Sequence, residues 1–223
     1  MKIFGRIFDA FAHTLLRIVC KIDDEEVRKV PDRGPMILIF NHINFLEAPL
    51  FYLRFKPRPL YAIMKVELAR MPFIGRIAMR WGGIPLERGA PPSAAFRKAA
   101  ELLKEGALIA IAPEGTRSRS GRLQQGNPGV VTMALQNDVP LIAVAQFGSQ
   151  NLGRNLKRLK RTEIHLRVSR PFKFVVPEKL NKESRGELTA QMMGQIARLL
   201  PEELRGVYAD VDTIGDEKLR FDP

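Results

Sequence analysis

Short, uninterrupted apolar runs that alternate with segments of helical periodicity constrain this chain more than any other feature. "MILIF" (36 to 40), "LYAIM" (60 to 64), "GIPLE" (83 to 87), "ALIAIA" (107 to 112), "LIAVAQF" (141 to 147) and "EIHLRVS" (163 to 169) have strand length and β-type composition. Most are apolar at every position rather than at every second one, so such strands need cover on both faces. Between them, "EAPLFYLRF", "MPFIGRIAMR", "PSAAFRKAAELLKEG" and "GVVTMALQN" read as helices, with Gly106 as the stop of the third. The alternation predicts an α/β fold, a layered mixed sheet flanked by helices. With 45% hydrophobic residues in 223, the chain can fill one sizeable core.

In folds of this kind ligands collect where strands end at their carboxyl side. Three unusual stretches fall at such ends: "NHINFLE" after the first run, "ERG" after "GIPL", and "PEGTRSRSG" after "ALIAIA". In the first, His42 and Glu47 are close enough to form a general base and its orienting carboxylate across a strand-to-helix turn. The same letters also match a capping box, Asn44-x-x-Glu47, in which Glu47 would bond the Asn44 amide and have no role with His42. Pro49 points to a regular helix starting nearer residue 49, which weakens the capping alternative. In the third stretch, Gly115 permits a tight turn whose amides can face an oxyanion or phosphate, and Arg117 offers a planar fork beside Glu114 and Thr116. An ordinary solvated turn has the same composition. Arg88 and Lys65 are further strand-end cations, equally suited to surface salt bridges.

Charge and composition narrow the partners. A net charge of +12 draws the protein to something anionic, whether nucleic acid, an acidic membrane or a phosphorylated substrate. One cysteine excludes an intrachain disulfide, and with three histidines it forms no metal-ligand spacing. No apolar run approaches the roughly 20 residues that span a bilayer. The N-terminal "MKIFGRIFDAFAHTLLRIVCK" reads as an amphipathic helix. Phe4, Ile7, Phe8, Phe11, Leu15 and Ile18 share one stripe, while Lys2, Arg6, Asp9, His13 and Arg17 lie opposite. Such a stripe either packs on its own domain or sinks into a membrane surface; the three phenylalanines and the mostly basic opposite face favour the membrane. The polar stretch "DDEEVRKVPDRG" follows, so residues 1–30 read as a docking helix with its linker and residues 31–223 as the main domain. "FYLRFKPRP", with Arg54, Lys56 and Arg58, and "RNLKRLKR" add basic clusters without any nucleic-acid reading motif.

Taken in order, these blocks resemble the glycerolipid acyltransferase family, whose best-known members are 1-acylglycerol-3-phosphate acyltransferases. The family's pattern, NH-x4-D, G-x-I-P-x-x-R, E-G-T-R-S and a V-P-I-x-P-V-like strand, is similar to "NHINFLE", "GGIPLERG", "EGTRSRSG" and "VPLIAVA" here. The closing "IARLLPEELRGVY" also looks familial, so the likeness covers residues 31 to about 208. Two positions depart: Glu47 stands where the family has aspartate, and Asn127 where related sequences often have lysine. The resemblance implies transfer of a fatty acyl group from an acyl thioester to the free hydroxyl of lysophosphatidic acid. His42 would be the base and Glu47 its orienter. An oxyanion would be held near Gly115 and Arg117, the acceptor placed by Glu114 and Thr116, and its phosphate held by Arg88 with Lys65. No metal or redox cofactor is implied, and Cys20 stays structural. The donor would be a coenzyme A or acyl carrier protein thioester, and the partners a lysophospholipid and an anionic membrane on its cytoplasmic face, not nucleic acid. Acylation of another acceptor, or lipid binding with little catalysis, would suit the same residues.

Overall fold

The computed structural model describes residues 2–87, 93–175 and 181–221. Helix α1 (Lys2–Val19) leads into strand β1 (Cys20–Asp23), followed by β2 (Met36–Phe40), α2 (Glu47–Arg54), β3 (Leu60–Lys65), α3 (Val66–Arg70), α4 (Ile74–Arg80) and β4 (Gly83–Leu86). Next come α5 (Ser93–Lys104), β5 (Leu108–Ile111), α6 (Gly129–Asn137), β6 (Leu141–Phe147), α7 (Leu152–Lys157), β7 (Thr162–Val168), β8 (Phe172–Phe174), α8 (Lys182–Leu199) and β9 (Leu219–Phe221). Among the described residues the nine strands form one sheet in the order β1-β7-β6-β2-β5-β3-β4, with β8 against β6 and β9. Strands β2 to β6 run parallel, whereas β7 and β8 run antiparallel to β6.

The central strands are buried on both faces, as their composition requires. Along β2, Ile37 and Ile39 enter one apolar cluster with residues of α5, α6 and α8, while Met36, Leu38 and Phe40 enter another beneath α1 and α2. Strand β7 alternates instead, burying Thr162, Ile164, Leu166 and Val168 and turning Glu163 outward. Gly106 follows α5 at φ +84°, a conformation that favours glycine and ends the helix. Helix α2 begins at Glu47 and not nearer residue 49, because Pro49 occupies its first turn, where a missing N–H costs no intrahelical bond.

The N-terminal segment is tied into the main sheet, since β1 pairs in parallel with β7 from Cys20↔Thr162 to Asp23↔His165. Cys20 is the buried first residue of this strand. Helix α1 docks through Gly5, Asp9 and Leu16. The Asp9 carboxylate accepts hydrogen bonds from Lys56 Nζ (2.6 Å) and Trp81 Nε1 (3.1 Å) and pairs with Arg80. The apolar stripe therefore faces away from the domain: Ile7, Phe11, Leu15 and Ile18 are 47 to 64% exposed. Phe8 turns partly inward against Trp81, and the side chains of Phe4, Lys2 and Arg6 lie outside the described ones. The cluster at 54–58 is not a free basic patch. Arg54 pairs with Asp24, Lys56 with Asp9, and the buried Arg58 donates to the carbonyls of Pro31 and Gly34.

Candidate active site

Strand β2 lies between β6 and β5, so the chain leaving its carboxyl end meets the segments that leave both neighbours. The β2–β6 ladder ends at Phe40↔Val144. Beyond it the Asn41 side chain takes the place of backbone, accepting from the Gln146 amide (2.7 Å) and donating to the Gln146 carbonyl (2.7 Å). Pairing through a side chain lets the main chain turn off the sheet while its buried neighbour stays satisfied. His42 sits on that turn.

The loop after β5 grips His42 on both sides. Its amide donates to Glu114 Oε1 (2.7 Å), and its carbonyl accepts from the Ser118 amide (2.7 Å). The imidazole Nδ1 faces Glu47 Oε2 at 3.2 Å. A carboxylate only accepts, so Nδ1 is the donor of this pair, and in a neutral imidazole that tautomer leaves the lone pair on Nε2. The His42 side chain is 29% exposed and that of Glu47 4%, so the exposed part of the pair belongs to the imidazole. The other oxygen of Glu47, Oε1, accepts from the amides of Ile43 (2.8 Å) and Asn44 (2.9 Å) and from Gln146 Nε2 (3.0 Å).

The two alternatives for Glu47 are thus one arrangement. One oxygen caps the entry to α2 and the other orients His42. The reciprocal half of the box differs from the expected form, because Asn44 Oδ1 accepts from the Leu46 amide (2.9 Å), two residues on, while its Nδ2 donates to the Ser149 hydroxyl (2.9 Å) after β6.

Glu114 faces inward, with Oε1 taken by His42 and Oε2 by the amide (2.9 Å) and Nε2 (3.1 Å) of Gln124. Burial pushes its carboxyl above the ordinary range, and the hydrogen bonds from His42 and Gln124 only partly oppose this. Gly115 turns at φ +65°, and its amide donates to the Ala112 carbonyl (3.0 Å), so that N–H is not offered to a ligand. Asn127 Nδ2 braces the turn through the Pro113 carbonyl (3.0 Å). The amides of Thr116 and Arg117 and the exposed Arg117 guanidinium have no hydrogen-bond partner among the described residues. Lys65 is exposed at the carboxyl end of β3, on the same side of the sheet, without an ion pair among the described residues. Arg88 lies outside the described residues.

The structure brings His42, Glu47, Glu114 and the turn at 115–117 into one site and sets Lys65 at its margin. Sequence reading did not reach Asn41, Ser118, Gln124 and Gln146. Gln146 did carry a signal, as the one polar residue in "LIAVAQF", fully buried on a strand otherwise apolar throughout.

A family model for acyltransferases matches residues 21–146, more than half of the chain and all of this site. The chain belongs to the acyltransferase family. The 1-acyl-sn-glycerol-3-phosphate acyltransferase LPAT1 (chloroplastic) of Arabidopsis thaliana is 31% identical over 132 residues, 58% of this acyltransferase and 36% of that protein. The 1-acyl-sn-glycerol-3-phosphate acyltransferase of Borreliella burgdorferi is 31% identical over 124 residues, 55% of this chain and 49% of its own. The matched region therefore spans less than half of each of these relatives. The crystal structure of the 1-acyl-sn-glycerophosphate (LPA) acyltransferase PlsC of Thermotoga maritima superposes with a TM-score of 0.62, covering 84% of this chain and 75% of that one at 22% identity. That likeness establishes the fold of this acyltransferase as an α/β sheet flanked by helices.

Proposed function

We propose that this acyltransferase moves a fatty acyl group from an acyl thioester to the free hydroxyl of lysophosphatidic acid, forming phosphatidic acid. The observation that carries the reading is the His42–Glu47 pair at the end of β2, joined through Glu114 and Ser118 to a loop on which the amides of Thr116 and Arg117 have no hydrogen-bond partner among the described residues. The relatives described above are named for the same acceptor.

His42 Nε2 takes the hydroxyl proton as the acceptor oxygen bonds to the thioester carbonyl carbon. Negative charge gathers on the former carbonyl oxygen, where the Thr116 and Arg117 amides and the Arg117 guanidinium donate. As the tetrahedral species collapses, the carbon–sulfur bond breaks and the leaving sulfur receives the proton from the His42 imidazolium. The thioester is already activated, so the step needs neither a covalent enzyme intermediate nor a cofactor. Lys65, at the end of β3, holds the acceptor's phosphate together with Arg88, and Thr116 adds a contact to the acceptor. Glu114 acts indirectly by fixing His42 and Gln124. The donor is a thioester of coenzyme A or acyl carrier protein.

The substrate's chain requires work at a lipid surface. Among the described residues no helix is long and apolar enough to cross a membrane. We assign surface docking to the outward stripe of α1, assisted by the exposed bases Arg154, Lys157, Arg158 and Lys160 beyond β6, at the site's end of the sheet.

The test is thiol release from long-chain acyl thioesters of both carriers, with and without lysophosphatidic acid, with the lipid product weighed by mass spectrometry. Release should depend on the acceptor and fall by about 100-fold to 10,000-fold in His42→Ala. A folded His42→Ala enzyme with near-normal turnover would overturn the mechanism, and thiol release indifferent to the acceptor would overturn the substrate.

A further inference from the structure

We infer that Gln146 is a positioning residue of the acyl transfer, acting through Glu47 on His42; the inference rests on the reading of His42 as the general base. Gln146 is fully buried near the end of β6, and its Nε2 donates to Glu47 Oε1 at 3.0 Å. Its backbone is held on both sides by Asn41, the residue before His42. Gln146 thus fixes both ends of the short segment that presents the imidazole, the carboxylate at one end and the turn off β2 at the other.

Two details favour a functional role over mere filling of space. The Gln146 Oε1 is buried and has no hydrogen-bond partner among the described residues, whereas Nε2 has the carboxylate. A side chain kept only for packing would avoid an unmet acceptor, which a leucine of similar size removes. The bond it keeps is aimed at the oxygen of Glu47 that does not face His42. With two amides already on that oxygen, a third donor stops the carboxylate rotating about its last torsion and keeps Oε2 toward Nδ1. Glutamate has one more rotatable bond than the aspartate expected at this position, so it needs that restraint more.

The experiment is a double-mutant cycle read in kcat and KM for thiol release. Gln146→Leu should lower kcat by about tenfold, the scale of one hydrogen bond to a charged group, with KM for both substrates within about twofold of wild type. In a Glu47→Ala background the same change should cost less than about twofold, because no carboxylate remains to be held. Gln146→Glu supplies a second readout. Its protonated carboxyl can donate to Glu47 as the amide does, so kcat relative to wild type should be retained at low pH and fall as the added group ionises, a descending limb absent from wild type. If Gln146→Leu leaves kcat within twofold, or lowers it by the same factor without Glu47, the inference fails; should that variant not fold, a Gln146→Glu profile parallel to wild type overturns it. An active His42→Ala would sink the acyl-transfer mechanism itself, whereas an inactive His42→Ala with an indifferent Gln146 sinks only the present inference.

Discussion

At Glu47 a single side chain satisfies a helix entry and the histidine proposed as the base, and the difference between its two oxygens makes Glu47→Gln informative. Oε1 meets three donors, so in the variant the amide oxygen must stay there. The new NH2 then faces His42 Nδ1 and donates to it, which moves the ring proton to Nε2 and removes the lone pair that the acceptor hydroxyl needs. The fold should survive while kcat falls by about 1,000-fold to 10,000-fold, comparable to what the equivalent exchange costs in a serine protease triad. Normal turnover in a folded Glu47→Gln protein would show that the tautomer of His42 does not matter. At this scale the sequence revealed the residues and withheld the arrangement: His42, Glu47 and the loop at 114–117 stand out as polar letters at strand ends, yet only coordinates reveal that Glu114 and the Gly115 amide are committed inside the protein. Gln146 was missed because a lone amide in an apolar strand has no local spacing to mark what it touches.

Among the elements, strands with continuous apolar runs were legible, as was the alternating β7, whereas β1 was not. Strands β2, β5 and β6 have no polar alternation that another structure could use, whereas β1 is four residues long and pairs with β7 alone. Helix α8 escaped for another reason: its buried face includes Ser184, Thr189, Gln191 and Gln195, so apolar periodicity is weak although the helix is central. Helix α1 was legible as amphipathic, but what its apolar side faces depends on Asp9. Burial raises the Asp9 pKa, but hydrogen bonds from Lys56 and Trp81 and the charges of Lys56 and Arg80 outweigh it, so the net direction is down. With the folded pKa below the unfolded one, the folded state binds fewer protons. The stabilisation is present above the ordinary carboxylate value and is lost as pH falls below about 4. Trp81 is the only tryptophan, so its fluorescence reports this contact directly. Acidification through that window should shift its emission, and Asp9→Asn should show the shifted spectrum at neutral pH; an unchanged spectrum in the variant would mean that Asp9 does not hold the helix. The outward face makes a separate prediction. Phe11→Asp combined with Ile18→Asp should weaken vesicle binding by at least about tenfold, since each removes an aromatic or branched side chain from the lipid boundary. Turnover of a water-soluble short-chain donor and acceptor should change by less than about twofold, and a matching loss there would point to damage to the fold.

For the molecule as a whole, a charge of +12 matters less than where it is free. Much of the basic content is paired, as at Arg54, Lys56 and Arg80, or hydrogen-bonded to backbone, as at Arg58 and Arg161. Arg154, Lys157, Arg158 and Lys160 stay exposed around Leu156 and Leu159, the latter 97% exposed, in the segment that follows β6 past the site. Arg161 in the same run donates to the carbonyls of Arg17 and Cys20, so these bases stand beside the end of α1. The charged run and the last turn of α1 thus lie at the site's end of the sheet, whereas Asp9 ties the middle of the helix to Lys56 and Trp81 beside the amino ends of β3 and β4. This arrangement predicts two separable contributions to docking. Arg158→Glu with Lys160→Glu should weaken binding to anionic vesicles by roughly 30-fold or more at low salt, from about 1 kcal/mol for each base removed and further repulsion from each acid added. The deficit should shrink as ionic strength rises toward about 0.5 M, where surface charges are screened within a few ångströms. The loss in the Phe11, Ile18 variant should persist at that salt, because apolar burial is not screened. Co-sedimentation across a salt series measures both. Equal salt dependence of the two variants would mean that α1 and the basic run do not touch the membrane as independent elements, and binding unaffected by either would move the lipid contact to another face of the sheet.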